Sequence, residues 1–262
     1  MPIVSYQVDS FTNEVFSGNP AVVVLLDKPM PDELLKLIAR ENAAPETAFI
    51  IKDGDEFKLR WFTPDIEMDL CGHATLASAH ILFTEFTLQT DEVVFQTVSG
   101  PLSVKRESDY YLMSFPIREG IPCVLPEEIF DSLSIKPKEV YKARDYMLVY
   151  PSQSEIESIE INRSIFDEIN INPGGVIITA PGRDCDFVSR FFTPQSTILE
   201  DPVTGSAHCT LAPYWAKRLK KSILQARQIS LRGGELECRL EEALVVIKGK
   251  AVTYSKSQLF IS

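Results

Sequence analysis

The sequence predicts an α+β protein of two similar domains, each with a curved antiparallel sheet around a central helix. The first observation is an internal repeat: residues 60–64 read RWFTP and residues 190–194 read RFFTP, and the match continues from Gly72 and from Gly205. The second is that strands and helices are expected in the same order around both copies, which indicates duplication of one supersecondary plan. The third is that each half contains one helix apolar on nearly every side, which short strands must surround.

The expected strands are short apolar or alternating runs bounded by Gly, Pro, Asn and Ser. Residues 3–8 are expected to form an edge strand, and residues 21–26 a strand buried on both faces. The other strands of the first half are expected at residues 47–51, 58–62, 93–98, 102–106 and 110–115. In the second half they are expected near Val140, Met147, Ile177, Phe187, Ile229, Leu236 and Val245. The tail, residues 251–261, is expected to return to the first domain as a strand.

Two kinds of helix alternate with these strands. The outer helices are expected at residues 31–41 and 162–168. Leu34, Leu37 and Ile38 give the first of them one apolar stripe. The inner helices, residues 73–83 and 206–219, are apolar nearly all round and are therefore expected to be buried. Pro213 cannot donate to the carbonyl of Cys209, so we expect a kink there.

The repeat also sets the expected domain boundaries. The first domain covers residues 1–117, joined by the tail 251–262, and the second covers residues 118–250. The second domain begins with the interdomain connection, residues 118–137, which is rich in proline and has one short helix near residues 127–133. At 262 residues the chain is long for a single core, which also favours two domains.

Composition excludes several classes of partner. A net charge of −11 opposes nucleic-acid binding, and the basic residues 217–221 stand at a helix end, where cations complement the dipole. The apolar run 21–26 is too short to cross a bilayer, and the start of the chain does not resemble a secretion signal. Five cysteines without C-x-x-C spacing are typical of reduced thiols. We therefore expect a cytoplasmic protein that binds neither nucleic acid nor membrane.

The polar loops that open the two inner helices are the expected binding sites. The N–H groups at a helix start are unpaired and the dipole is positive there, so Gly72-His73 and Gly205-Ser206 are expected to attract an anion. If the two halves face each other, both starts line one cleft that suits a carboxylate. The positive end of the helix dipole is also expected to keep His73 neutral near pH 7. Taken alone, a histidine at this position is more often a helix cap.

Candidate acid/base residues lie at the same junctions. Glu46 directly precedes a buried strand, a position where a carboxylate is most often only a solvated strand end. Asp201 and Thr204 precede the second helix, where such residues usually act as caps. The convergence of Glu46, His73, Asp201 and Ser206 on junctions near one proposed cleft favours acid/base chemistry.

Four segments carry a family resemblance: VDSFTNEVFSGNPAVVV, PETAF, WFTPDIEMDLCGHATLA and EDPVTGSAH. Together they resemble the phenazine-biosynthesis isomerase-like (PhzF-like) family, whose fold relatives include diaminopimelate epimerase and proline racemase. The resemblance implies two β-roll or half-barrel domains around central helices, related by a pseudo-two-fold axis, and an active site between them without metal or cofactor. It also implies a homodimer.

By this resemblance, Glu46 is the proton-shuttling acid/base, and His73, Asp201 and Ser206 complete the catalytic set. The expected substrate contacts are Gly72, Gly205, Asn19 and Thr204. One residue departs from the family pattern, because Pro45 stands where many relatives carry serine. Pro45 removes a hydroxyl and an N–H beside the acid, so the substrate of any one relative does not transfer directly.

The leading hypothesis is a cofactor-independent isomerase that moves a proton on a small carboxylate metabolite. A second hypothesis is a two-base racemase or epimerase of an amino-acid-like substrate that uses Cys71, although residues 202–204 supply no second thiol at the other helix start. A third is a non-catalytic carboxylate-binding protein. A metal site is the least favoured, because His73, His80 and His208 are the only histidines and two of them fall in or near apolar helices.

Overall fold

A computed structural model describes residues 3–54, 56–86, 88–171 and 174–261. The outermost residues of the expected first domain and tail, 1, 2 and 262, lie outside this range. The chain divides into two compact units: unit 1 is Met1–Ser114 with Lys248–Ser262, and unit 2 is Phe115–Ile247.

Most of the expected helices and strands are present. The first ten elements are β1 (Ile3–Ser10), β2 (Asn19–Leu26), α1 (Asp32–Asn42), β3 (Glu46–Asp53), β4 (Glu56–Phe62), β5 (Glu67–Met68), α2 (Gly72–Glu85), β6 (Glu92–Thr97), β7 (Gly100–Glu107) and β8 (Tyr110–Pro116). The next seven are β9 (Ile121–Pro122), α3 (Glu127–Ser132), β10 (Glu139–Lys142), β11 (Tyr146–Val149), α4 (Gln153–Ser158), α5 (Arg163–Phe166) and β12 (Val176–Pro181). The last are β13 (Phe187–Phe192), β14 (Glu200–Asp201), a 3₁₀ turn (Gly205–Ala207), α6 (His208–Leu219), β15 (Ile223–Gln228), β16 (Gly234–Glu241), β17 (Leu244–Gly249) and β18 (Ala251–Leu259).

The sheet of unit 1 is mixed, so the prediction of an antiparallel sheet is wrong. β2 and β3 pair in parallel, and α1 connects them. β4 and β6 also pair in parallel, and α2 lies between them in the chain. Parallel neighbours need a crossover of a dozen or more residues, which each helix supplies. Both helices are therefore crossover connections, and their first residues lie near the ends of the strands that they join.

The prediction that β1 is an edge strand is also wrong. β1 pairs antiparallel with β2 on one side and with β18 on the other, where Ile3 is opposite Leu259. The tail therefore returns to the first unit, as the sequence predicts. The alternation in β1 does not mark an edge, because a strand with one face exposed shows the same pattern inside a sheet.

Helix α1 packs through a different stripe from the predicted one. Leu35, Ile38 and Ala39 are buried, whereas Leu37 is 57% exposed. The buried positions follow the i, i+3, i+4 spacing of one helix face. Leu34, Leu37 and Ile38 satisfy the same spacing, so the sequence alone does not choose between the two faces.

Helix α2 is buried over nearly its whole length, which confirms the prediction for the first inner helix. Every residue from Gly72 to Phe83 is buried. Its serine and threonine hydroxyls bond back to carbonyls four residues earlier, as when Ser78 donates to the carbonyl of Ala74 at 2.7 Å. These bonds remove the cost of burying hydroxyl groups in an apolar environment.

Unit 2 repeats this plan. β11 pairs in parallel with β12, and β13 pairs in parallel with β15 across the connection that contains α6. The second inner helix, α6, begins at His208 rather than at Ser206. Residues 205–207 instead form a 3₁₀ turn, in which the Ala207 N–H donates to the carbonyl of Thr204. The helix α4 has no counterpart in the prediction.

Pro213 lies inside α6, and the helix continues through it. The carbonyl of Cys209, which would normally accept from residue 213, instead accepts from the backbone N–H of Arg118 at 3.0 Å. This bond satisfies the group that proline leaves unpaired. Among the described helices, none is both long and apolar enough to span a membrane.

Candidate active site

The candidate site of unit 1 lies where two parallel strands and the buried helix begin. Glu46, the first residue of β3, is opposite Ala21 of β2, and Asn19 starts β2 two residues earlier. Parallel strands start at the same edge of a sheet. The crossover topology therefore brings Asn19, Glu46 and the first turn of α2 together, although they are far apart in the sequence.

An ion pair between Glu46 and His73 is the central contact. Oε2 of Glu46 lies 3.0 Å from Nε2 of His73, and the two side chains are 14% and 4% exposed. The histidine is thus almost fully enclosed, whereas the Glu46 side chain keeps a small solvent-accessible area, although its Oε2 is buried against the ring. The site therefore presents one reachable carboxylate that is held by a buried imidazole.

The other ring nitrogen of His73 is also held. Nδ1 lies 3.1 Å from Nδ2 of Asn19 and 3.6 Å from Sγ of Cys71. The hydroxyl of Ser10 donates to the backbone carbonyl of His73 at 2.8 Å. The ring and its backbone are therefore fixed on several sides, which is the preorganisation that a proton-transfer site requires.

The expectation that His73 is neutral is wrong. Burial by itself would lower the pKa of the imidazole, but the negative charge of Glu46 and the contacts with Cys71 and Glu46 outweigh it, and the pKa of His73 lies well above its ordinary value. A helix start opposes protonation by about 2 kcal/mol at most. A carboxylate at about 4 Å favours it by about 4 kcal/mol at an effective dielectric constant of about 20. The ion pair therefore decides the charge of His73.

Burial and the charge of Glu46 act together on Cys71. Both raise the pKa of the Cys71 thiol, and burial is the larger cause. The thiol therefore stays protonated near neutral pH, in spite of its position at the start of a helix, which usually favours a thiolate.

These pKa shifts predict that His73 is the only histidine of the three that is charged at pH 7. Burial lowers the pKa of His80 and of His208 to about 4. We expect nitrogen-15 NMR of the imidazole rings to show one imidazolium and two neutral rings at pH 7. A neutral His73 in this spectrum would contradict the ion pair.

The same shifts predict opposite effects on stability. The folded-state pKa of His73 exceeds the unfolded value of about 6.5, so its contribution is complete below that pH and is lost as the pH rises through the folded-state pKa. His80 has a lowered pKa, so its contribution is lost as the pH falls from about 6.5 towards about 4. Urea unfolding measures both effects: the stability difference between wild type and His80→Gln should shrink as the pH falls from about 6.5 to about 4. The difference between wild type and His73→Gln should instead shrink as the pH rises above about 6.5.

The start of α2 has free capacity for an anion. Cys71 occupies the N-cap position in an extended conformation, and its side chain makes no capping hydrogen bond. The first N–H groups of a helix lack intrahelical partners. Gly72 and His73 therefore offer backbone donors beside the Glu46 carboxylate.

The second candidate loop, in unit 2, is organised by Gln228. Its Oε1 accepts from the backbone N–H of Thr204 at 2.8 Å, and its Nε2 donates to the carbonyl of Asp201 at 2.7 Å. The hydroxyl of Thr204 donates to the carboxylate of Asp201. Gln228 is 1% exposed, so its amide fixes the loop from inside unit 2.

Ser206 is the loop residue best placed to contact a ligand. It is half-buried in the 3₁₀ turn after Gly205, and within the described part of the chain its hydroxyl makes no hydrogen bond. His208, two residues later, is fully buried, and its Nδ1 lies 3.0 Å from the carbonyl of Thr204. Ser206 is thus available to a substrate, whereas His208 serves the fold.

The predicted site residues therefore form two groups. Unit 1 brings together Glu46, His73, Asn19 and Gly72, and unit 2 brings together Asp201, Thr204, Gly205 and Ser206. Asn19 is fully buried against His73, so its position fits a positioning residue better than the predicted substrate contact. The sequence reasoning missed Gln228, and it considered Cys71 as a catalytic residue only under the racemase hypothesis. No local pattern marks Gln228, because it lies 24 residues after Thr204.

Comparison with known proteins identifies the family. Residues 8–257 match the family model of the phenazine biosynthesis-like proteins (PhzC-PhzF). The chain belongs to the PhzF family. A PhzF-family relative from Pseudomonas aeruginosa, named an uncharacterized isomerase, is 44% identical over 263 residues, with 100% of both chains covered. The predicted family is thus confirmed, and the coarse activity in the relative's name is isomerase.

Solved structures agree with this assignment. The crystal structure of a PhzF-family phenazine biosynthesis protein from Enterococcus faecalis is 42% identical, with a TM-score of 0.93 and 100% of both chains covered. A probable proline racemase from Agrobacterium radiobacter K84 has a TM-score of 0.67 at 12% identity, with 99% of this chain and 93% of that chain covered. At that identity the likeness concerns the fold alone. The α+β, diaminopimelate epimerase-like fold predicted from the sequence is confirmed.

Proposed function

We propose that this PhzF-family protein is a cofactor-independent isomerase that moves a proton on a small carboxylate metabolite. The observation that carries the proposal is the 3.0 Å contact between Glu46 and His73 at the uncapped start of α2. It combines one reachable carboxylate, a buried cation that orients it and backbone donors for an anion. The PhzF family and the isomerase names of its members support the reaction class.

In the proposed reaction, Glu46 is the base and then the acid. Its carboxylate takes a proton from a carbon of the substrate, so the C–H bond breaks, an O–H bond forms on Glu46 and the electron pair enters the π-system of the substrate. Glu46 then returns the proton to a different carbon, and the π-bond shifts. The positive charge of His73, 3.0 Å from the carboxylate, attracts it and holds it in position. The N–H groups of Gly72 and His73 bind the substrate carboxylate.

Asp201 and Ser206 are proposed to assist the same reaction from unit 2, with Gly205 and Thr204 as further substrate contacts. The sequence repeat and the PhzF pattern support this assignment. We expect Ser206→Ala to lower kcat/KM about 3- to 10-fold, because a hydrogen bond contributes about 0.5–1.5 kcal/mol. Its urea midpoint should equal that of wild type, since the hydroxyl has no partner in the described chain. Unchanged kcat/KM would remove Ser206 from the proposed site.

A two-base racemase is the second candidate, because Cys71 lies 3.6 Å from His73. Burial raises the pKa of this thiol, which opposes a thiolate base at neutral pH. Alkylation of accessible thiols distinguishes the two mechanisms if it is followed by mass spectrometry. Full turnover after complete modification of Cys71 would exclude the racemase.

Proton–deuterium exchange in heavy water tests the proposed function. A panel of small unsaturated and saturated carboxylates is incubated with the protein, and mass spectrometry measures deuterium at carbon. We expect exchange into at least one unsaturated carboxylate without added metal or cofactor. Carboxylates that raise the melting temperature but never exchange would instead indicate a non-catalytic binding protein.

We further propose that the protein is a cytoplasmic homodimer. Sedimentation of the purified protein tests the dimer, and fractionation of cells tests the location.

A further inference from the structure

The acid/base pair has a third chemical group beside it that the proposed reaction does not use. One ligand atom each from Glu46, Cys71 and His73 can be chosen so that all three lie within 4.8 Å of one another. The cysteine and the histidine are 5% and 4% exposed, and the carboxylate is 14% exposed. A thiol, an imidazole and a carboxylate are thus gathered at one place that solvent reaches through Glu46.

We propose that Glu46, Cys71 and His73 form a Zn²⁺ site whose occupation blocks the proposed proton transfer. Thiolate sulfur, imidazole nitrogen and carboxylate oxygen are the three ligand types that Zn²⁺ takes in proteins. Three protein ligands leave the fourth tetrahedral position open to water. The sequence disfavoured a metal because it offers few histidines, but two of these three ligands are not histidines.

One pair of ligand atoms already has a spacing close to the one that this ion requires. Zn²⁺ bonds of about 2.0–2.3 Å place neighbouring ligand atoms of a tetrahedral site about 3.3–3.6 Å apart. Oε2 of Glu46 lies 3.0 Å from Nε2 of His73, whereas the 3.6 Å contact of the Cys71 sulfur is with Nδ1. Because these contacts involve different ring nitrogens, shifts of about 1 Å are needed to close the three ligands around one ion.

The surroundings support Nε2 of His73 as the ligating nitrogen. A histidine bound to metal usually holds its other nitrogen in a hydrogen bond, and Nδ1 already lies 3.1 Å from the fully buried amide of Asn19. The amide can present its oxygen to Nδ1–H, since its orientation follows the hydrogen-bond network. Ser10 fixes the backbone of the same residue.

Occupation of the site would inhibit the enzyme directly. The thiol of Cys71 and the imidazolium of His73 release their protons to solvent, and the sulfur and nitrogen bind the ion. Glu46 then shares its electron pair with Zn²⁺ and no longer accepts a proton from carbon. This inhibition rests on the proposed function, whereas the metal binding does not.

Cobalt titration tests the binding without any assay of activity. Reduced, chelator-treated protein is titrated with Co²⁺, which should produce a thiolate-to-cobalt charge-transfer band that Zn²⁺ then abolishes. We expect no band in Cys71→Ser and at least 10-fold weaker binding in Glu46→Gln. The matched control, Cys185→Ser, removes a half-buried thiol of unit 2 and should keep the band. Absence of the band in wild type, or its persistence in Cys71→Ser, would overturn the site.

Exchange assays with stoichiometric Zn²⁺ test the inhibition. Wild type should lose exchange in proportion to occupancy, and Cys71→Ser should keep most of its own metal-free rate. If zinc-loaded wild type exchanges at the metal-free rate, the ion does not block the pair. If the band forms but metal-free protein exchanges no carboxylate, the proposed function fails and the metal site stands.

Discussion

Glu46→Gln is expected to lower kcat for proton–deuterium exchange by about 10²- to 10⁴-fold, the range that a positioned general acid or base contributes. The amide has nearly the shape of the carboxylate, but it does not accept a proton from carbon at neutral pH. Glu46 begins β3 and keeps 14% of its side chain exposed, so the replacement should not open a cavity in the core. Single-turnover exchange in heavy water measures the effect.

Glu56→Gln is the matched control for this variant. Glu56 begins the neighbouring strand β4, is exposed and lies outside the His73 cluster. We expect it to exchange at the wild-type rate.

Glu46→Gln should also remove the charge that raises the pKa of His73, so NMR should show that this histidine loses its proton at a lower pH than in wild type. Wild-type exchange by Glu46→Gln, together with a shifted His73, would show that the pair exists without being catalytic.

The pattern of the repeat made the positions of the two inner helices predictable, but not the direction of every strand. The inner helix α2 is apolar on all sides, and only a buried position satisfies such a sequence. The parallel pairing of β2 with β3 was missed because short apolar strands occur in both kinds of sheet. The helix α1 between the two strands indicates parallel pairing, because antiparallel strands of a hairpin do not need a connection of that length.

In the site, too, features that depend on neighbouring residues were predictable, and contacts between residues distant in the sequence were not. Glu46 and His73 were predicted together because each stands where an element begins. The roles of Asn19 and Cys71 depend on distances of a few ångströms across the chain, and sequence spacing does not supply them. The charge of His73 was mispredicted for this reason: the helix start is visible in the sequence, but the 3.0 Å contact that outweighs it is not.

The repeated motifs RWFTP and RFFTP both begin with an arginine that binds a glutamate in the structure. Arg190 of β13 forms a bidentate pair with Glu200 at 2.8 and 2.9 Å, and its Nη1 donates to the carbonyls of Ile156 and Ile159. Its counterpart Arg60 forms a bidentate pair with Glu67, at 2.7 Å for both bonds. The two motifs therefore preserve the same arginine–glutamate clamp.

Arg190→Met is expected to destabilise the protein by about 3 kcal/mol, and Arg60→Met by about 1 kcal/mol or less. The Arg190 and Glu200 side chains are only 15% and 22% exposed, so the variant leaves a poorly solvated carboxylate and two carbonyls without their donor. The Arg60 and Glu67 side chains are 31% and 33% exposed, and water replaces much of what the arginine supplied. Urea unfolding at neutral pH measures both values.

The double variant Arg190→Met/Glu200→Leu separates the loss of the clamp from the cost of an unpaired charge. Replacing both members of a buried pair by apolar residues is often neutral, whereas removal of one member is strongly destabilising. We therefore expect the double variant to recover most of the stability that Arg190→Met loses. If it recovers none, the two carbonyl bonds rather than the ion pair account for the effect, because they are the contacts that the second substitution cannot restore. Equal losses in Arg190→Met and Arg60→Met would contradict the argument from burial.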